Sequence, residues 1–184
     1  MPTPLTDALA AILDQYRTSF TDKIYADENN ETDPLMDVFG ITPELKRENR
    51  QYWGRELGMC WQRLIIEICK QTRPKDYGPA LRFGADEPCD LVVGELAIDT
   101  KYRIGSGDSG TLKKFKAYAM LLRDRGYEPT LLIVREDNLP AAIAACRGWN
   151  VITGDMTYAY IKQLTGFDVK TYLQAKALEY KVSR

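Results

Sequence analysis

The chain has 184 residues, 25 Lys+Arg against 26 Asp+Glu, a formal net charge of -1, 45% hydrophobic residues and no histidine. That length suits one well-packed domain and is short for two, so residues 1–184 are expected to fold as a single domain. The missing histidine excludes Ser-His-Asp and Cys-His catalysis, His-ligated zinc and a histidine general base; chemistry is left to carboxylates, lysine, tyrosine or cysteine, with or without a metal.

Residues 4–25 read as an amphipathic helix, because Leu5, Leu9, Ile12, Leu13, Tyr16 and Phe20 recur at helical spacing. The polar stretch 27–34 reads as a loop. Thr42-Pro43-Glu44 is a helix start, with a capping hydroxyl, proline in the first turn and then an acid. Trp53, Leu57, Cys60, Trp61, Leu64 and Ile68 carry that helix to about Gln71. The period then becomes strand-like, over Ala80–Phe83, Asp90–Val93 and Leu96–Arg103. Gly105–Gly110 reads as a flexible loop, and Thr111 can cap a helix running to about Arg125. Thr130–Arg135 and Asn150–Thr153 read as strands flanking a short helix over Pro140–Arg147, and helices follow from about Met156 and about Val169. The expected fold is α/β: a mixed five-stranded sheet flanked by helices, with a helical N-terminal part. Residues 1–41 form the N-terminal arm and loop, 42–153 the core and 154–184 the C-terminal helices.

Charge is graded along the chain. Residues 1–44 carry nine acids against two bases, a balance of -7, whereas residues 99–125 carry seven bases against three acids, a balance of +4. A local basic stretch can bind phosphates even when the chain as a whole is mildly acidic. Cys60, Cys69, Cys89 and Cys146 sit among apolar neighbours, form no C-x-x-C pair and follow no secretory signal; buried, reduced thiols in the cytoplasm are expected. No apolar run approaches the ~20 residues of a membrane span.

The run Cys89–Lys101 carries the chemistry. Gly94-Glu95 suits a two-residue type II′ hairpin turn, and that turn sets Val93 against Leu96, Val92 against Ala97, Leu91 against Ile98 and Asp90 against Asp99. Lys101, two residues past Asp99, projects from the same face. Opposed residues have Cβ atoms about 5 Å apart, so two carboxylates held that close invite a cation or a proton. Mg²⁺ takes carboxylate oxygens and keeps several waters, a histidine-free route to phosphodiester hydrolysis in which Lys101 orients or deprotonates the attacking water.

Asp90 followed by Asp99-Thr100-Lys101 on a hairpin, with Pro88 ahead, resembles the signature of the PD-(D/E)XK nucleases, typified by type II restriction endonucleases. Cys89, which separates Pro88 from Asp90, departs from that pattern. The resemblance covers the element order of roughly residues 43–153 and implies a restriction-endonuclease-like core, Mg²⁺ held by Asp90, Asp99 and the Thr100 carbonyl, and Lys101 as the catalytic lysine. The run Ile98–Gly107 is also similar to the ApaLI-like restriction enzymes. Family members often add an acid from the helix before the sheet. Glu56 and Glu67 share one helix face, and Glu56 is preferred because Gly54-Arg55-Glu56 resembles family helices.

Four acid-x-lysine triplets occur in the chain, but only Asp99-Thr100-Lys101 lies on an expected strand with an aspartate across a turn. Arg103, Ser106, Lys113, Lys114 and Lys116 flank it and are expected to contact DNA phosphates. Gly107-Asp108-Ser109-Gly110 has no histidine to activate its serine and no Gly-Lys-Ser/Thr ending of a P-loop. The expected function is a Mg²⁺-dependent type II restriction endonuclease, a homodimer acting on a short double-stranded DNA site. A repair or junction-resolving nuclease, or a non-catalytic DNA-binding protein, are the alternatives.

Overall fold

The computed structural model describes residues 28–105 and 109–181; the helix read over residues 4–25 and the loop residue Ser106 lie outside them. Asp33 starts the first helix, α1 (Pro34–Phe39): its carboxylate accepts the N–H groups of Leu35 and Met36, and proline follows as the first helical residue. This short helix falls between the loop and the helix expected from the sequence.

The long helix expected from Pro43 to about Gln71 is divided into α2 (Pro43–Glu48) and α3 (Arg50–Thr72). Asn49 leaves helical geometry at φ -151° and ψ 75°, and its side-chain oxygen accepts the Tyr52 N–H at 3.0 Å. An N-cap residue in mid-pattern thus ends one helix and starts the next.

Five strands follow: β1 (Tyr77–Pro79), β2 (Leu91–Val93), β3 (Leu96–Lys101), β4 (Glu128–Ile133) and β5 (Asn150–Thr153). They form one sheet in the order β1-β2-β3-β4-β5, antiparallel from β1 to β3 and parallel from β3 to β5. The first strand is Tyr77–Pro79 and not Ala80–Phe83. Gly78 permits a close approach to β2, since a Cβ there would sit 2.6 Å from Val92, whereas Phe83 bridges to Asp86 in a turn of its own.

Helix α4 (Ser109–Arg123), which begins two residues before Thr111, and α5 (Pro140–Ala145) make the parallel crossovers; α6 (Asp155–Thr165) and α7 (Val169–Ala175) complete the described chain. Both sheet faces are covered. Trp61, Ile65, Leu91, Ile98 and Leu132 belong to one apolar cluster, and Val92, Ala97, Phe115, Leu131 and Ile133 to the other. The alternation Leu131, Leu132, Ile133 distributes successive side chains to opposite faces, as the strand period requires. Each fully buried aliphatic side chain contributes about 1.5–3 kcal/mol, and β4 buries Leu131, Leu132 and Ile133 completely. No helix among the described residues is long and apolar enough to cross a membrane. All four cysteines are free, with Cys69, Cys89 and Cys146 buried.

For function, the uneven length of the strands matters most. β2 is last paired at Leu91, opposite Ile98, while β3 continues to Lys101 with β4 alongside through Lys101↔Ile133. Asp99, Thr100 and Lys101 therefore lie on a strand end supported by β4 and free of β2.

Candidate active site

The hairpin forms in the expected register, with Val93↔Leu96, Val92↔Ala97 and Leu91↔Ile98. Gly94 has φ +59°, and Glu95 remains in the ordinary region, as a turn that needs glycine first demands. One residue further the alternation breaks. The Asp90 N–H donates to the Ile98 carbonyl at 2.9 Å, so Asp90 and Leu91 together oppose Ile98 as a β-bulge. The bulge re-aims Asp90. Its carboxylate does not stand beside Asp99 on the α4 side of the sheet; it accepts the Thr100 N–H at 2.7 Å, the Thr100 hydroxyl at 2.6 Å and the Gln62 side-chain amide of α3 at 2.6 Å.

Asp99 and Lys101 do share a face, through a 2.6 Å ion pair. The Lys101 Nζ also donates to the Thr100 carbonyl at 3.2 Å. An Asp99 carboxylate oxygen and the Thr100 carbonyl thus converge on one cationic atom. Burial pushes the Asp99 carboxyl up to about 6; Lys101 opposes that rise and the Asp90 charge adds to it. For Lys101, burial acts to lower the ammonium, but the Asp99 and Asp90 carboxylates outweigh it and hold the group above its ordinary value. The pair is a buried carboxylate in need of a cation and an ammonium kept charged.

These groups floor a cleft of about 170 Å³ between β3 and α4, lined also by Glu87, Lys114, Tyr118 and Trp149. Lys114 and Tyr118 are one helical turn apart and Phe115 packs inward between them, so helix periodicity brings Lys114 to the rim. Tyr118 is anchored by its hydroxyl, which donates to Asp86 at 2.8 Å. Lys113 and Lys116 are exposed on α4, three residues apart on its outer side. Ser106 lies outside the described residues.

Two expected participants are elsewhere. Glu56 is paired with Arg55 at 3.0 Å and lies about 200° around α3 from Gly58, the position that faces Tyr102 just beyond β3; the structure does not bring it to the cleft. Glu67, its alternative, accepts from Gln71. Arg103 is turned inward: its Nε donates to the Asp137 carbonyl at 2.9 Å and pairs with the Asp137 carboxylate at 3.2 Å. Asp137 in turn binds Arg135, which also reaches Asp33 at 3.4 Å. Tyr102 donates to Asp33 at 2.5 Å and accepts from the buried Lys46 at 2.9 Å. This polar network fixes the chain just beyond β3.

Sequence reasoning missed Gln62, Glu87, Tyr118 and Trp149. Tyr118 was accessible from its i+4 relation to Lys114; Gln62 carries no local signal, because its partner is 28 residues away.

The donor chemistry suits a hard divalent cation: a desolvated carboxylate and a backbone carbonyl converge on one point, and the Asp90 charge acts on that carboxylate. Among the described residues no group of three or more His, Cys, Asp or Glu side chains is arranged to hold a metal ion, so water would complete the coordination. Comparisons with protein-family models, curated proteins and solved structures found no match to the chain.

Proposed function

We propose that this protein is a Mg²⁺-dependent endonuclease of the PD-(D/E)XK kind, hydrolysing phosphodiester bonds of double-stranded DNA at a specific site as type II restriction enzymes do. The observation that carries the reading is the convergence of the Asp99 carboxylate and the Thr100 carbonyl on the Lys101 ammonium, at the floor of a cleft with Lys114 on its rim. Asp99 and the Thr100 carbonyl would hold the cation, with Asp90, held on the α3 side, adding its negative charge; Mg²⁺ there would supply a Lewis acid for a phosphate oxygen and a more acidic bound water. Lys101, paired with Asp99 at 2.6 Å, would orient the attacking water or stabilise charge on the phosphate. Lys114 at the rim, and Lys113 and Lys116 on the exposed side of α4, offer ammonium groups to the DNA backbone.

Cutting both strands of a palindrome calls for two related sites, which a homodimer with two-fold symmetry supplies. Free thiols, three of them buried, accord with a reducing, cytoplasmic setting. The test is incubation of the purified protein with plasmid DNA and Mg²⁺, with and without EDTA. Discrete, EDTA-sensitive fragments support restriction, structure-dependent nicks indicate a repair or resolving nuclease, and intact plasmid overturns the catalytic reading. Asp99→Ala and Lys101→Ala are expected to reduce cleavage about 10²–10³-fold while DNA binding persists, a loss in the range seen when charge-stabilising groups are removed from active sites. Retained cleavage by either variant removes that residue from the site.

A further inference from the structure

We infer that Gln62 is the positioning residue for Asp90, an inference that rests on the nuclease reading above. The sheet-facing side of α3 is apolar, with Trp53, Leu57, Trp61, Ile65 and Cys69 buried. Gln62 stands on the flank of that stripe, and its Nε2 donates to Asp90 Oδ1 at 2.6 Å. The other oxygen, Oδ2, takes the Thr100 N–H and hydroxyl at 2.7 and 2.6 Å. Each carboxylate oxygen is thereby held by a different element, α3 on one and β3 on the other.

The bulge at Asp90 makes this necessary. It turns the carboxylate off the face shared by Asp99 and Lys101, and Gln62 supplies the anchor for the oxygen that Thr100 does not engage. An amide is also the suitable donor. It fixes the orientation of the carboxylate without cancelling its charge, so Asp90 continues to act on Asp99 and on any cation bound there. The helix before the sheet thus reaches the site through a neutral amide, while Glu56 points away from it and Glu67 is engaged with Gln71.

Attachment of α3 to the sheet does not depend on this bond, because Trp61 and Ile65 are fully buried beside it. Loss of the amide should therefore be read in metal binding and turnover and not in folding. The experiment compares the wild-type chain with Gln62→Ala, Gln62→Leu (which keeps the side-chain bulk) and Gln71→Ala as a control on the same helix. Mg²⁺ binding is measured calorimetrically on metal-free protein, kcat and KM on DNA, and thermal melting in EDTA.

The Gln62 variants are expected to bind Mg²⁺ about 10–100-fold more weakly, the usual consequence of removing an outer hydrogen-bond partner of a ligand. Their kcat should fall with KM for DNA unchanged, and their EDTA melting curves should match wild type. Unaltered Mg²⁺ affinity, or a loss that Gln71→Ala reproduces or that tracks a lowered EDTA melting temperature, overturns the inference alone. Wild-type protein that neither binds Mg²⁺ nor cuts plasmid overturns the nuclease reading beneath it.

Discussion

Asp99 is the residue in which stability and function oppose each other. Burial pushes its carboxyl up to about 6, with the Lys101 pair only partly compensating. A raised folded-state value means that the native protein holds a proton the unfolded chain has released. Stability from this group is fully present below about pH 4 and is lost as pH rises through about 6. In EDTA, the wild type is expected to lose on the order of 3 kcal/mol relative to Asp99→Asn between about pH 4 and about pH 7. Urea unfolding across that range measures the difference, and a flat comparison would show that Asp99 ionises without penalty. The pairing of Asp99 with Lys101 was legible in the sequence because residues two apart on a strand share a face. The Gln62 contact was not, since nothing near residue 62 encodes where residue 90 will arrive.

Among the elements, the β2–β3 hairpin is the most completely encoded. A two-residue turn led by glycine leaves little choice of register, and the three pairs observed are those the turn dictates. Gly94 occupies φ +59° with nothing within 4 Å of the place a Cβ would take, so a side chain there would meet only the conformational cost of the left-handed region. Gly94→Ala is expected to lower unfolding free energy by about 1–2 kcal/mol in a urea titration, and Gly94→Asn by less. Cleavage by the folded fraction should survive both changes. The bulge at Asp90 is not encoded in the same way, because it arises where β2 stops and β3 does not, and strand ends are set by what packs around them. The break at Asn49 is local: an N-cap residue stands inside the helical pattern, and the apolar period running through it masks its competition with the helix.

At the scale of the molecule, a buried polar network ties together segments that the sequence keeps far apart. Arg135, with only 4% of its side chain exposed, binds Asp33 and Asp137; Tyr102 and Lys46 join Asp33 from β3's far end and from α2. Burial pulls the Lys46 ammonium below its ordinary value against the attraction of Glu28, so the network is held by mutual compensation. Removing one member should cost more than an exposed ion pair ever contributes. Arg135→Ala is expected to destabilise the fold by about 3–5 kcal/mol, because it leaves Asp33 buried without its guanidinium partner and Asp137 with Arg103 alone. A shift in the urea midpoint much smaller than that would indicate that water replaces the guanidinium.

By itself the sequence determined the α/β class, four of the five strands, the hairpin register and the partnership of Asp99 with Lys101, all of which follow from periodicity and turn chemistry within a few residues. Only the tertiary structure decided which way Asp90 turns, that Arg103 is drawn inward while Lys114 reaches the cleft, and that α3 offers Gln62 and not Glu56. Those outcomes depend on packing between elements distant in the chain, where the cost of a buried charge or an unmatched carboxylate is set by neighbours that no local pattern specifies.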